Sequence, residues 1–365
     1  MAAARRALVG AAVALSAFGA FGGCDFPFPM KRLDKAPSLE ELAVDTSGYS
    51  VDELDIDARV FFVRGDEVYY SNAVGELFKF SDERLQKVGF GNAKEISEKV
   101  VDLPFEFCPR LLFVSTRGNV LVSPDWHLQP RGTFVFDGNS WEKSLDEPVW
   151  RADEDASGAI YVGTYQKDSE HHAQIYRSTD GGKHWELFFE DKLNHQIHSV
   201  RYDPYSGCIY TSFGDTASRG QAFFCPSTGW EILERGTKEG HTDVAFTPDY
   251  VFWASDNGSG RVFRYVRGES FEEIVLGGGK QFVWFAASYP PSEVYVGTKT
   301  SQKEGGERAA VLASRDNGAT WQKLIELPTS TRDYEGFSCS RNTTFSGALY
   351  VSSTDGRAWR IQSKR

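Results

Sequence analysis

The chain has 365 residues with 40 Lys and Arg against 51 Asp and Glu, a formal net charge of −11. An acidic chain without a long Lys/Arg run excludes general nucleic-acid binding, and a 41% hydrophobic content is enough to bury a core. Nine Trp, fifteen Tyr and twenty-seven Phe beside thirty-five Gly and only two Met favour strands and tight turns over helices.

In chain order, residues 1–23 read as a signal segment. Arg5 and Arg6 precede an apolar run from Ala7 to Phe21. That run is shorter than the roughly 20 residues of a membrane span, so it predicts export. The segment "FGGC" ending at Cys24 resembles a bacterial lipobox, which implies lipidation of Cys24 and a cell-envelope location. Cleavage among the small residues without lipidation, giving an extracellular protein, is the other reading. Any contact with a membrane is expected only through that anchor. Residues 24–50 are Pro-containing and charged, and predict a tether. The only helical spacing is "SLEELAV" at 38–44.

Residues 51–365 repeat. Trp141, Trp185, Trp230, Phe271, Trp321 and Trp359 close successive units of similar grammar, and Leu85 marks an upstream copy. Each unit reads as four short strands bounded by Gly, Asp, Asn and Pro, for example "SVRYDPYSG", "CIYTSFGD", "GQAFFCPS" and "WEILER". A period near 45 residues is that of propeller blades. The predicted fold is all-β, a single seven-bladed β-propeller of four-stranded antiparallel blades. Cys208 and Cys225 flank one predicted hairpin and can bridge across it in an exported protein. Cys108 and Cys339 have no evident mate, and no Cys/His spacing predicts a metal site. No cofactor is implied.

Two segments, "STDGGKHW" and "SRDNGATW", share Ser-x-Asp-x-Gly-x-x-Trp: Ser178, Asp180, Gly182 and Trp185, then Ser314, Asp316, Gly318 and Trp321. The chain thereby resembles the sialidase-like superfamily of BNR-repeat, or Asp-box, β-propellers. The resemblance implies a structural turn between third and fourth strands, away from any substrate. In physical terms the Asp accepts backbone N–H groups, the Gly takes positive φ, and the Trp covers the turn. A sialidase would further need an early Arg-Ile-Pro motif, yet Phe107 stands two residues before Pro109 where that Arg belongs. Tyr334 occupies a position like that of the family's Tyr nucleophile.

Ligands of propellers meet the face where first strands begin and second strands end. By the repeat, first strands begin at Arg110, Arg151, His198, His241, Phe282/Trp284 and Glu335, and second strands end at Asp125, Tyr165, Asp215, Asp256 and Lys299. His198 with Asp215, and His241 with Asp256, form two expected acid/base pairs on adjacent blades, each with an imidazole pKa raised by its carboxylate. Arg151, Tyr165, Lys299, Tyr334 and Glu335 are the expected substrate-binding residues. Two function classes follow. One is a glycan-directed protein, either a lectin-like binder or a hydrolase or lyase. The other is a non-catalytic propeller that serves a protein partner or assists assembly.

Overall fold

The computed structural model describes residues 30–32, 42–166, 171–214, 216–236, 240–256, 260–267, 269–276, 281–300, 308–328 and 335–364. The architecture is all-β, built from sheets of four antiparallel strands. Strand β1 (Met30–Arg32) and strand β2 (Tyr49–Leu54) precede the first sheet. That sheet runs β3 (Val60–Arg64), β4 (Glu67–Ser71), β5 (Glu76–Ser81) and β6 (Glu98–Asp102). The second comprises β7 (Leu111–Val114), β8 (Val120–Ser123), β9 (Thr133–Phe136) and β10 (Trp141–Leu145). The third comprises β11 (Val149–Glu154), β12 (Ile160–Thr164), β13 (Ala173–Ser178) and β14 (Glu186–Asp191). The fourth comprises β15 (Ile197–Asp203), β16 (Cys208–Phe213), β17 (Gly220–Cys225) and β18 (Gly229–Arg235).

The fifth sheet contains β19 (His241–Phe246), β20 (Tyr250–Ser255), β21 (Arg261–Val266) and β22 (Ser270–Val275), with β1 added in parallel outside β22. Last come β23 (Gln281–Tyr289), β24 (Glu293–Thr300), β25 (Ala310–Ser314) and β26 (Gln322–Glu326), and then β27 (Glu335–Cys339), β28 (Leu349–Ser353) and β29 (Ala358–Ser363). Strand β2 pairs antiparallel with β29, so a segment from the start of the chain completes the sheet made by its end. A short β24–β27 pairing joins these last two groups into one eight-stranded sheet.

First strands pack on first strands: β3 on β7, β7 on β11, β11 on β15, β15 on β19, β19 on β23, β23 on β27, and β27 back on β3. Much of their surface is buried, as in the apolar cluster that joins Leu111, Leu112, Phe113 and Val149 of first strands to Ile160 and Val162 of a second strand. A sheet with two apolar faces cannot satisfy them alone, and stacking on its neighbours does.

Two sequence expectations need correction. Leu85 does not end a fourth strand. It is a fully buried residue of helix α1 (Asp82–Val88), which with α2 (Ala93–Ile96) is inserted between β5 and β6. Ser81 caps α1 through a bond from Arg84 N, and Asp82 is fixed by Arg360 Nε at 2.6 Å. Burial alone would raise the Asp82 pKa, but the Arg360 bond and charge hold it below the usual carboxylate value. The 24–50 stretch is not simply a tether where it is described. Met30–Arg32 runs along Phe271–Glu273, and Val44 bridges to Lys323. Asp215 and Tyr334 lie outside the described residues, and of Glu335 only the backbone is described. Cys208 and Cys225 are bridged. No helix among the described residues is long and apolar enough to cross a membrane.

The two full Ser-x-Asp-x-Gly-x-x-Trp turns adopt one hydrogen-bond pattern. Ser178 Oγ donates to Asp180 Oδ1 at 2.8 Å and accepts from Gly182 N at 2.9 Å. Ser314 does the same with Asp316 and Gly318, both at 2.8 Å. Gly182 has φ of 90°, and a Cβ there would meet Leu121 of the neighbouring sheet. Trp185 bonds Ser144 across to that sheet, whereas Trp321 folds back onto the carbonyl of Gly318.

Candidate functional site

The first strands carry a repeated irregularity that the repeat alone does not show. The pairing register shifts between Val149 and Arg151, between Ile197 and Ser199, between His241 and Asp243, and between Val283 and Phe285. Each shift is a bulge of one extra residue near the start of a first strand: Trp150, His198, Thr242 and Trp284. A bulge re-aims a side chain out of the alternating pattern. All four of these residues line one cavity of about 640 Å³ at the start of the first strands.

Around them stand Arg110, Asp125, Trp126, His127, Arg151, Tyr165, Asp256, Phe282 and Lys299. Thus Arg110, Asp125, Arg151, Tyr165, His198, Asp256, Phe282, Trp284 and Lys299, expected at this face, do come together. Trp126, His127, Trp150 and Thr242 were missed. Trp150 adjoins Arg151 in the sequence, and only the bulge makes it, too, face the cavity.

The aromatic rings are ordered. Trp150 and Tyr165 stack with centroids 3.3 Å apart and 8° between planes, and His198 lies 5.6 Å from Tyr165 in a similar orientation. Gly214 lies beside the imidazole, where a Cβ would come within 2.1 Å of His198 Cε1. The Arg110 guanidinium lies 3.9 Å from the Trp150 ring and 5.2 Å from Trp284. Lys299 Nζ lies 4.1 Å from Trp284. Cations held on aromatic faces gain cation–π attraction that does not use their N–H donors. An adjoining recess of about 320 Å³ is lined by Arg59, Arg110, Arg151, Lys299 and Arg341 against one carboxylate among the described residues, Asp125. This patch is therefore cationic on a protein that is acidic overall.

The two expected acid/base pairs do not form as read. His241 is 1% exposed and packs edge-on to Trp253 and Phe263. Gln221 Nε2 lies 2.7 Å from its Nδ1. Burial, reinforced by repulsion from His198 and Arg219, pushes the His241 pKa down to about 3, opposite to the expected rise. The Asp256 carboxylate instead sits 3.5 Å from His198 Nδ1, across two sheets. His198 Nδ1 is also 3.2 Å from the His241 carbonyl, and Nε2 is 3.1 Å from Gln196 Oε1. Of the two expected imidazoles, His198 therefore faces the cavity and His241 does not. Among the described residues no group of three or more His, Cys, Asp or Glu is placed to hold a metal ion.

Deeper in the ring the lining changes from aromatic to ionic. A small cavity of about 40 Å³ is lined by Arg110, Arg151, Asp153, Arg201, Cys339 and Arg341 among others. Burial pushes the Arg151 pKa down to about 10; Asp243 counters this, and Arg110 and Arg201 add repulsion. Burial likewise raises the Asp153 and Asp243 carboxyls and holds the Cys339 thiol well above its usual value.

No protein-family model matches the chain. Over 160 residues it is 27% identical to the photosystem II assembly protein Ycf48 of Thermosynechococcus vestitus, a match that spans 42% of each chain and so less than half of that relative. In three dimensions it resembles YCF48 bound to D1 peptide, with TM-score 0.60 and 18% identity over 90% of this chain and 99% of that one. It also resembles YCF48 from Cyanidioschyzon merolae, with TM-score 0.57 and 13% identity over 87% and 99% of the two chains. A catalytically inactive virginiamycin B lyase from Staphylococcus aureus, solved with quinupristin, gives TM-score 0.62 at 10% identity over 87% and 100%. With these neighbours and its sheets of four antiparallel strands, the chain has a β-propeller fold.

Proposed function

We propose that this protein is a non-catalytic propeller that holds an acidic segment of a protein partner at the bulged mouth of its ring, in an assembly or scaffolding role. The observation that carries the reading is the mouth's chemistry: Arg110 and Lys299 lie over the faces of Trp150 and Trp284, beside a recess with five cationic residues and one carboxylate among the described residues. Trp, Tyr and Arg are the side chains that dominate protein–protein binding energy, and guanidinium groups suit carboxylates. The likeness to Ycf48, which is named for photosystem II assembly and has been solved with a D1 peptide, supports a protein partner. A single buried imidazole beside Asp256 offers less to acid/base chemistry than the two pairs read from the sequence.

The finer architecture in this reading is one ring of seven four-stranded units, supported by the closed succession of first-strand packing, with β2 as the last unit's outer strand. The two Asp-box turns then tie neighbouring units together, in keeping with the sialidase-like resemblance. Export, with Cys24 as the lipid anchor, would present the mouth at the cell envelope.

The test uses tryptophan fluorescence and calorimetry on the full mature chain. The probes are a glutamate–tyrosine copolymer, a lysine–tyrosine copolymer and a uronic-acid oligosaccharide. The glutamate–tyrosine copolymer should bind, and Trp284→Ala and Lys299→Glu should each weaken it tenfold or more. Binding of the oligosaccharide alone would overturn the reading in favour of a glycan ligand. Equal binding of both copolymers, or copolymer binding unchanged by both substitutions, would also overturn it.

A further inference from the structure

We infer that the ionic middle of the ring is a binding site for one compact inorganic anion of chloride size, held between Arg151, Arg201 and Arg341 below the aromatic mouth. The argument starts from charge. Four guanidinium groups, of Arg110, Arg151, Arg201 and Arg341, line the 40 Å³ cavity. Arg110 also faces Asp125 and Asp256 at the mouth; among the described residues the other three guanidinium groups have two carboxylates beside them. Asp153 Oδ2 lies 3.4 Å from Arg201 Nε, and Asp243 Oδ2 lies 3.6 Å from Arg341 Nε.

Other nearby acids are already engaged. Glu154 is bound by Arg64 at 2.7 Å and by Thr116 N. Asp203 is bound by Arg267. Asp125 stands at the mouth and offsets the charge of Arg110 rather than of Arg151, Arg201 or Arg341. The Cys339 thiol is kept neutral by burial, so it adds no negative charge.

An Arg side chain does not shed its proton in a protein, so burial cannot neutralise this excess. A buried charge without a partner is strongly unfavourable. The hydrogen bonding tells the same story. Arg151 and Arg201 are 8% and 7% exposed, and the buried Nε groups of Arg110, Arg151 and Arg201 have no hydrogen-bond partner among the described residues. Arg151 Nη1 reaches only the Trp150 carbonyl at 3.1 Å, and Arg201 Nη2 only the Arg341 carbonyl at 3.4 Å. Arg341 itself sits at φ of 62°, a conformation uncommon outside Gly, which brings its side chain to the Asp243 carboxylate. The cavity's size then selects the ligand. A water needs about 10–15 Å³ measured in the same way, so 40 Å³ takes a halide or a nitrate and is too small for a sugar or a peptide.

This inference does not rest on the partner-binding reading, and its test is separate. The full mature chain is melted in sodium gluconate of fixed ionic strength while gluconate is exchanged for chloride, bromide or acetate. A ligand that binds only the folded state raises Tm with the logarithm of its concentration. For a domain of this size each tenfold rise above saturation should add roughly 2 °C. The wild type should show this rise with chloride and bromide, and Arg151→Met and Arg201→Met should lose it. Crystals grown in bromide should show an anomalous peak between Arg151 and Arg201, a readout independent of whether the variants fold. A chloride curve that matches gluconate, an unchanged halide response in both variants, or no bromide peak would overturn the site. So would a rise with acetate alone, which would point to a carboxylate ligand. Loss of the halide effect with copolymer binding intact would leave the partner reading standing.

Discussion

His198 and His241 stand one sheet apart, each at the start of a first strand, and they have opposite environments. The reason is a single residue of register. The bulge at His198 falls after Ile197, and the bulge of the next sheet falls after His241. His198 therefore corresponds to Thr242, whereas His241 corresponds to Ile197, Val149 and Val283, all fully buried wall positions. In a strand a shift of one residue moves a side chain to the other face. His241 is a polar residue in an apolar slot, made tolerable by Gln221 and by losing its charge. His198 lines the cavity, as His127 also does. The lesson is that equivalent blades do not imply equivalent residues until the bulges are aligned.

The largest test of this comparison is the alanine pair. His241→Ala removes a buried ring from between Trp253 and Phe263 and leaves Gln221 without its partner, which should cost about 2–4 kcal/mol by chemical denaturation. Copolymer binding by the folded fraction should be unchanged. His198→Ala should cost less, about 1–2 kcal/mol for its lost hydrogen bonds, and should weaken copolymer binding tenfold or more. If His241→Ala lowered binding as much as His198→Ala at equal folded fraction, the register assignment would be wrong.

Gly214→Ala probes the same site without removing a polar group. The new methyl would overlap the His198 ring at 2.1 Å, and overpacking of this kind costs about 1–3 kcal/mol. The ring must move, so the Trp150–Tyr165–His198 stack is disturbed. Calorimetry should show weaker binding, while the corresponding change at Gly138, where a Cβ would meet nothing within 4 Å, should leave binding intact.

The pH dependence of His241 is the next test. The folded-state pKa of His241, about 3, lies below its ordinary value of 6.5. A depressed pKa means that the unfolded chain binds the proton first. The contribution of His241 to stability is therefore complete above about pH 6.5 and is lost as pH falls towards 3, with a slope of up to about 1.4 kcal/mol per pH unit. Denaturation of His241→Gln across this window should show a shallower fall than the wild type. An unchanged slope would mean that the ring is not held neutral.

What could be read without coordinates follows the range of the physics involved. The four-strand grammar and the Ser178–Asp180–Gly182 and Ser314–Asp316–Gly318 turns are local: a hydroxyl, a carboxylate and a positive φ within a few residues specify them. The cavity ring was also largely legible, since Arg110, Arg151, Tyr165, His198, Asp256, Trp284 and Lys299 sit at places the repeat marks. The bulges were not, because Trp150 and Thr242 differ from their neighbours only in how the paired strand is hydrogen-bonded. Nor was the ionic middle, where Arg201 and Arg341 are 140 positions apart in sequence and meet only when the ring closes. The insertion at Asp82–Ile96 broke the period because Leu85, read as a strand end, packs as a helix residue.

The smallest expected effect belongs to a third histidine, His184, and it calibrates the other two. Its ring is 89% exposed and lies 2.6 Å from Asp180 at the edge of the first Asp-box turn. Burial works to raise the Asp180 pKa, but bonds from the backbone and ring of His184, from Ser178 and from Lys183 N outweigh it and bring the value down to about 2. Most of those bonds survive His184→Ala, because the amide of residue 184 and Ser178 Oγ remain. The lost contact is solvent-exposed and screened, so the substitution should change stability by less than about 0.5 kcal/mol. Asp180→Ala removes every one of these bonds and should cost about 1–2 kcal/mol, with the difference between the two variants fading as pH falls from about 4 to 2. Copolymer binding should be the same for both variants and the wild type, since this turn faces Leu121 and Asp137 of the neighbouring sheet rather than the mouth. A loss of binding in His184→Ala comparable to that in His198→Ala would show that the rim takes part in recognition, and would move the site away from the bulged strands.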